Sequence, residues 1–207
     1  MDALAPSSPF LLVVITPPED VPDEHARALQ MLRWGIDRLH VRKPTYTPKQ
    51  MAAYLAPLCD QGWGDRLVLH SCFSLADTYA LRGIHWNEQT QRQPEEALAY
   101  RRVSWAVHDP ARLPLSDRRE GEYILASPFF ASISKPGYLP RYSLAEWERA
   151  IAKTYTPVIA LGGVVPQYLS TLLRIGCGGA AFLGYLWQTK TSEKLEEFLN
   201  NIKNLRP

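Results

Sequence analysis

The 207-residue sequence has little of what marks a nucleic-acid-binding or membrane protein. Its 23 basic and 21 acidic residues leave a formal net charge of only +2, and the basic residues are scattered, which argues against a nucleic-acid surface. No apolar run approaches the roughly 18 residues of a membrane span, and the first ten residues lack the basic segment of a secretory signal. We therefore expect a soluble, cytoplasmic protein that binds neither nucleic acid nor a membrane.

The sequence also lacks the spacings that mark disulfide frameworks and metal centres. Cys59, Cys72 and Cys177 are odd in number, show no CxxC spacing and lie in or beside apolar segments. This pattern predicts free thiols in a reducing compartment. Histidine, aspartate and glutamate do not cluster at a metal-ligand spacing on any predicted helix, so a zinc site is not expected and no residue is predicted to bind a metal.

What the sequence does contain is a regular alternation of short apolar segments with helical patterns. Segments of strand length are residues 10–16, 37–41, 66–70, 83–86, 103–108, 121–128, 157–161 and 178–184. Helical patterns lie at residues 22–34, 47–58, 74–81, 94–100, 143–153, 166–175 and 191–202. Such alternation is typical of parallel βα units. Eight units predict an α/β protein, a single-domain (β/α)₈ TIM barrel over residues 1–207, with an open doubly wound sheet as the alternative.

In a barrel of this kind the reactive groups lie at the carboxyl ends of the strands. The residues predicted there are Arg42, Lys43, His70, Ser71, Trp86, His108, Asp109, Ser127, Ser132, Ser134, Lys135, Gly162, Gly163 and Gly184. Histidines, adjacent cations and a serine-lysine loop indicate a small anionic substrate. In residues 156–166 an apolar strand runs into a glycine pair and then a helix start. Backbone amides can hold a phosphate in such a segment, although the same pattern is equally common as a plain turn.

Several motifs at these strand ends resemble those of one family. They are LHVRK at residues 39–43, LRGIHW at 81–86, SWAVHD at 104–109, SPFFASISK at 127–135, and VIALGGV at 158–164 followed by GCGGAAFLG. Over nearly the whole chain they resemble the thiamin phosphate synthase and TenI-type thiazole tautomerase superfamily, whose fold is a TIM barrel. The resemblance implies that Ser132, Ser134 and Lys135 contact phosphate or pyrophosphate. It also implies that main-chain amides of Gly163 and Gly184, beside Gly162, bind a thiazole phosphate.

The sequence departs from the synthase pattern at the positions that hold metal. The resemblance implies Mg²⁺ held by two aspartates, yet this chain has Ser71 and Thr90 there, with Glu88 and Asp109 as the nearby carboxylates. A family lysine is also replaced by proline, and Lys43 is the predicted partial substitute. Missing carboxylates argue against efficient pyrophosphate chemistry, since hard oxygen ligands suit Mg²⁺.

The tautomerase of the superfamily needs no metal, and the resemblance assigns its acid-base role to a histidine that matches His108. Histidine suits this role because its ordinary pKa of about 6.5 makes both protonation states accessible near neutral pH. We predict that Asp109 orients His108, that His70 is a second catalytic group, and that Arg42 binds an anion. His85 is assigned a structural role.

These observations predict an enzyme of thiamin biosynthesis, most simply a metal-independent thiazole tautomerase with no cofactor. A thiamin phosphate synthase, which would need Mg²⁺, is the first alternative, and a non-catalytic thiamin-phosphate-binding regulatory protein is the second. In each case the expected partner is a small phosphorylated thiazole or thiamin phosphate. The resemblance also makes a homodimer possible.

Overall fold

The computed structural model describes residues 9–87, 100, 102–113, 122–131, 139–188, 196–197 and 200. Eight parallel strands lie side by side in chain order: β1 (Leu11–Ile15), β2 (Arg38–Val41), β3 (Leu67–Leu69), β4 (Gly83–Trp86), β5 (Val103–Val107), β6 (Tyr123–Ala126), β7 (Val158–Ala160) and β8 (Gly179–Phe182). Strand β1 pairs with both β2 and β8, which closes the sheet into a barrel. The predicted (β/α)₈ fold is confirmed, and the open-sheet alternative is wrong.

Helices connect the strands on the outside of the barrel. They are α1 (Glu24–Arg33), α2 (Pro48–Cys59), α3 (Leu75–Thr78), α4 (Leu144–Ile151), α5 (Leu169–Arg174) and α6 (Gly184–Gln188), with 3₁₀ turns at Gly64–Arg66, Pro110–Arg112 and Pro166–Tyr168. The predicted helices at residues 94–100 and 191–202 lie mostly outside the described residues. No helix in the described part is long and apolar enough to cross a membrane.

Local sequence signals fix where two of these helices begin. Thr47 caps α2 and Ser143 caps α4, and each forms a reciprocal capping box with the residue three positions on, Gln50 or Glu146. Such boxes satisfy backbone N–H groups that the first turn of a helix leaves without partners. The predicted start of the helix at residue 143 is confirmed. Cys59, Cys72 and Cys177 are free thiols, as predicted.

The interior of the barrel has two chemically different sides. Side chains alternate between the two faces of a strand, so residues that pack on the helices leave their neighbours facing inward. On β1, β6, β7 and β8 the inward residues form an apolar cluster, here called the apolar side: Val13, Ile15, Tyr123, Leu125, Ile159 and Ala181. On β2 to β5 the inward positions, here called the polar side, include Arg38, His40, His85 and Ser104, and His70 follows directly after β3.

An ion cluster closes the base of the polar side. The Glu122 carboxylate, just before β6, accepts hydrogen bonds from Arg38 at 2.8 Å and from Arg82 Nε at 2.8 Å. All three side chains are at least three-quarters buried. Burial by itself would raise the pKa of Glu122, but the hydrogen bonds and charges of the two guanidinium groups outweigh it and lower the pKa.

Candidate functional site

Arg42 is a cation available at the mouth of the barrel. It comes directly after β2, where its backbone N–H donates to Thr16 Oγ1 at 2.8 Å and so ties the ends of β2 and β1 together. Within the described part of the chain its half-buried guanidinium makes no ion pair or hydrogen bond. A guanidinium in this setting is well suited to bind a phosphate or carboxylate in two-point fashion. The predicted anion contact at Arg42 therefore remains a good candidate.

Lys43 is not at the mouth, and its predicted role in phosphate binding is wrong. Its ammonium group is fully buried and lies 2.7 Å from Glu24 of α1 and 3.2 Å from Asp20, and it donates to the Glu19 carbonyl at 2.9 Å. Neighbouring residues at the end of an extended strand point to opposite faces, so Lys43 points outward where Arg42 does not. It cannot substitute for a lysine in the site.

His108 lies on the exposed rim, directly after β5. Its Nδ1 is 3.0 Å from the Ser127 carbonyl oxygen and 3.0 Å from the Ser127 hydroxyl. Because the carbonyl can only accept, Nδ1 carries the proton, and Nε2 is left as the basic nitrogen. The prediction that Asp109 orients this ring is wrong, since its carboxylate instead caps the 3₁₀ turn Pro110–Arg112 by accepting from Ala111 N at 2.9 Å.

The glycine pair after β7 packs against the loop that follows β6. The amide of Phe130 donates to the Gly162 carbonyl at 3.0 Å, and Gly162 and Gly163 have φ angles of 90° and 65°. A Cβ at Gly163 would lie 2.1 Å from the Ala131 carbonyl oxygen, so no larger residue fits. Within the described residues neither glycine N–H has an acceptor. The turn thus joins two predicted phosphate-binding segments and leaves donors available, as an anion site requires.

His70 lies on the polar side of the barrel in contact with two other histidines. Its Nε2 is 2.9 Å from His40 Nδ1, and its ring centroid is 4.4 Å from that of His85. Burial and the neighbouring histidines lower the pKa of His70 well below its ordinary value. Sequence reasoning missed His40 and set His85 aside. The available signal was their inward position on two strands that flank β3.

The remaining predicted site residues divide into two groups. Gly184 is the first residue of α6, two residues beyond the end of β8 and near the mouth. Residues Ser132, Ser134 and Lys135 lie outside the described part of the chain, as do Glu88 and Thr90. The roles predicted for these five positions stay predictions.

The described residues do not fit the Mg²⁺ ion that the synthase pattern implies. Ser71 stands where one family aspartate is expected, and its hydroxyl donates to the Lys43 carbonyl at 3.3 Å. Asp20 and Glu24 are committed to Lys43 on the outer face, and Asp109 caps a turn. Among the residues that the structure describes, no group of three or more possible metal ligands contains a carboxylate.

Comparison with known proteins gives the relationship. The family described as thiamine monophosphate synthase matches residues 12–186. A thiamine-phosphate synthase of Alcanivorax borkumensis is 28% identical over 200 residues, covering 89% of this chain and 88% of the relative. A thiamine-phosphate synthase of Levilactobacillus brevis is 28% identical over 180 residues, covering 81% of this chain and 83% of the relative.

Solved structures agree with this relationship. A thiamine phosphate pyrophosphorylase from Bacteroides thetaiotaomicron has a TM-score of 0.75 at 26% identity, covering 95% of this chain and 97% of that one. Its counterpart from Pyrococcus furiosus has a TM-score of 0.77 at 17% identity, covering 93% and 95%, and at this identity shows the fold alone. These relatives carry the name of an enzyme of the synthase type, which favours the synthase alternative over the predicted tautomerase. With most of its length matched, the chain belongs to the thiamine monophosphate synthase family.

Proposed function

We propose that the protein is a thiamine-phosphate synthase, which joins a hydroxymethylpyrimidine pyrophosphate to a thiazole phosphate. The observation that carries this proposal is its similarity over nearly its whole length to proteins of that name. In the reaction a C–N bond forms between the thiazole nitrogen and the pyrimidine methylene carbon. The carbon–oxygen bond to pyrophosphate breaks, and pyrophosphate leaves with the bonding electrons.

The residues of the mouth suit the negative charges in this reaction. The guanidinium of Arg42, which has no partner among the described residues, can bind a phosphoryl group in two-point fashion and stabilise the charge that develops on the departing pyrophosphate. The amides of Gly162 and Gly163, for which the described part of the chain offers no acceptor, can hold the thiazole phosphate at a fixed position. Holding both partners in place lowers the entropic part of the barrier.

A second candidate, the thiazole tautomerase, is favoured by one specific observation. His108 has its Nδ1 fixed by Ser127 and its Nε2 directed away from that contact, on the exposed rim of the mouth. Tautomerisation of a thiazole carboxylate phosphate needs a group that accepts and then donates a proton, and His108 can do both. The reaction needs no metal. The lack of a Mg²⁺-type carboxylate cluster in the described part of the chain is compatible with this candidate.

Two assays on one preparation separate the candidates. Purified protein is incubated with the pyrimidine pyrophosphate and thiazole phosphate, with and without Mg²⁺, and thiamin phosphate and pyrophosphate are measured. In parallel it is incubated with the thiazole carboxylate phosphate tautomer, and aromatisation is followed. Formation of thiamin phosphate supports the synthase; its absence at high enzyme concentration, with aromatisation present, would replace it by the tautomerase. Binding of thiamin phosphate without turnover in either assay would contradict both.

Two variants connect the assays to the residues. Replacing Arg42 with Met should lower kcat/KM of the synthase by about 10- to 100-fold, because a charged hydrogen bond contributes roughly 1.5–3 kcal/mol. Arg174→Met, at an exposed position on α5, is the matched control and should leave kcat/KM unchanged. His108→Ala should lower a tautomerase rate by roughly 10²- to 10⁴-fold. An undiminished rate in His108→Ala would remove the tautomerase candidate.

A further inference from the structure

Three histidines from neighbouring strands meet inside the barrel. His40 on β2 and His85 on β4 are almost completely buried, and His70 lies between them after β3. One ligand nitrogen of each ring lies within 4.8 Å of the other two. The ring centroids are 5.1 Å apart for His40 and His70, 5.4 Å for His40 and His85, and 4.4 Å for His70 and His85. The steps described above for the synthase and the tautomerase give these contacts no role.

The outer nitrogens of two of the rings are held by hydroxyl groups. His85 Nδ1 is 2.8 Å from Ser104 Oγ, and the same hydroxyl donates to the Ile84 carbonyl at 3.4 Å. With the Ser104 proton directed at that carbonyl, Nδ1–H of His85 can donate to Ser104 Oγ, and in this tautomer Nε2 keeps a free lone pair. His40 Nε2 lies 2.5 Å from the Tyr123 hydroxyl. That hydroxyl can accept a hydrogen bond from the Nε2–H of His40, which would leave Nδ1 of His40 with a lone pair facing His70.

A metal-binding histidine usually donates its other ring N–H to a carboxylate, a backbone carbonyl or water, and the hydroxyl oxygens of Ser104 and Tyr123 can accept in the same way. A neutral imidazole, with a lone pair on one ring nitrogen, is the form that binds a divalent cation. Imidazole nitrogens select zinc, copper or nickel over magnesium, which prefers oxygen ligands.

The geometry points to a site for a zinc-class divalent cation bound by His40 Nδ1, His70 Nε2 and His85 Nε2. Zinc–nitrogen bonds of about 2.0–2.1 Å place tetrahedral ligand atoms about 3.4 Å apart. The nearest nitrogens of His40 and His70 are 2.9 Å apart, so metal binding would replace their mutual hydrogen bond. The three ligand nitrogens lie within 4.8 Å of one another, so the rings would also have to draw closer together around the ion. Three histidines leave a fourth position open, as in catalytic zinc sites. The partial exposure of His70 places that position on the side of the mouth.

Charge sets a condition on the site. The described surroundings supply no carboxylate ligand, and the positive charge of Arg42 acts on both His70 and His85. A bound divalent cation would therefore carry an anion, hydroxide or a phosphate oxygen, at its open position. The inference does not depend on the proposed function, because it concerns metal binding and not turnover.

The test uses full-length protein with any affinity tag removed, since a polyhistidine tag binds the same metals. Chelator-treated protein is titrated with Co²⁺, followed by its visible absorption, and with Zn²⁺ in competition with a chromophoric chelator. We expect one equivalent of metal in a tetrahedral site with nitrogen ligands. His70→Asn, which removes the least buried ligand, should weaken binding at least 100-fold. Tyr123→Phe should weaken it about 10- to 100-fold, because it removes the group that orients His40.

His25→Gln is the matched control, because His25 contacts the Tyr54 carbonyl on the outside of the barrel and should leave metal affinity unchanged. Thermal unfolding with and without Zn²⁺ checks folding: the metal should raise the Tm of the wild type and of His25→Gln but not that of His70→Asn. Absence of equimolar binding, equal affinity in His70→Asn, or a thiolate band from Co²⁺ bound at Cys59 or Cys72 would overturn the inference and leave the histidines as a hydrogen-bonded cluster.

Discussion

The apolar side and the polar side of the barrel interior are stabilised by different kinds of interaction. The apolar side is held by dispersion and by exclusion of water, and Ile159 fills the room above Gly179, where an added Cβ would lie 2.6 Å from its Cδ1. The polar side is held by directed contacts: the Arg38–Glu122–Arg82 cluster at the base and the histidines above it. A polar substitution on the apolar side should lower stability, because it buries a group without a hydrogen-bond partner. On the polar side, removing one partner should lower stability, because the other partner is left buried without its hydrogen bond.

The largest expected loss of stability comes from the apolar side. Ile159→Ala should lower the free energy of unfolding by about 2–5 kcal/mol, because a fully buried side chain is removed and its neighbours collapse only in part. Urea unfolding measures the change. Leu139→Ala, at a side chain that is 69% exposed, is the control and should stay within about 0.5 kcal/mol of the wild type. A loss for Ile159→Ala no greater than this control would show that the apolar side is not tightly packed.

A smaller loss is expected at the base of the polar side. Glu122→Gln removes the charge that two guanidinium groups share and should lower the free energy of unfolding at pH 7 by about 1.5–3 kcal/mol. Glu148→Gln, on the exposed face of α4, is the control. Equal unfolding midpoints for the two variants would contradict the importance of the cluster.

Glu122 also makes the stability of the protein depend on pH in the acidic range. The pKa of Glu122 is lower in the folded protein than in the unfolded chain, where it is about 4.3. The contribution of Glu122 to the free energy of unfolding is therefore complete above the unfolded pKa and is lost as the pH falls through the lower folded value. The stability difference between wild type and Glu122→Gln should therefore shrink in acid. Urea unfolding at pH 7, 5, 4 and 3 measures it, and a difference that stays constant down to pH 3 would refute the assignment.

The smallest effect is expected where the two sides meet. Tyr123 belongs to the apolar cluster, yet its hydroxyl reaches His40 on the polar side. Tyr123→Phe should lower the free energy of unfolding of metal-free protein by about 0.5–1.5 kcal/mol, the usual net contribution of one hydrogen bond. Tyr168→Phe is the control, since the stacking of this ring on Phe130 is kept and its hydroxyl has no partner in the described part of the chain. Equal stability of both variants would show that the two sides are not coupled through this contact.

The barrel itself could be predicted because every strand carries its own signal. Short apolar runs and capping residues such as Ser143 act locally, and eight repeats of one pattern leave few possible architectures. The directions in which side chains point were predicted less completely. Arg42 and Lys43 were both placed at the mouth, although alternation along an extended chain sends neighbours to opposite faces and Lys43 is paired with Glu24.

Site residues that stand out within one sequence motif could be predicted, whereas contacts between residues of different strands were missed. His108 stands out within its own motif, but its partner, Ser127, comes from the next strand, and sequence reasoning chose the adjacent Asp109 instead. The meeting of His40, His70 and His85 depends on the register of three strands. Register follows from tertiary pairing, which a single sequence does not specify.

The contact between Gly163 and the loop after β6 has a consequence for how this protein can change over evolutionary time. A side chain at residue 163 would collide with the backbone at Phe130 and Ala131, which cannot turn aside as a flexible side chain can. Any relative with a larger residue at this position must therefore carry a differently shaped or differently sized segment after its sixth strand. The two segments should accordingly vary together across related sequences, and grafting either one alone into this chain should disturb the other.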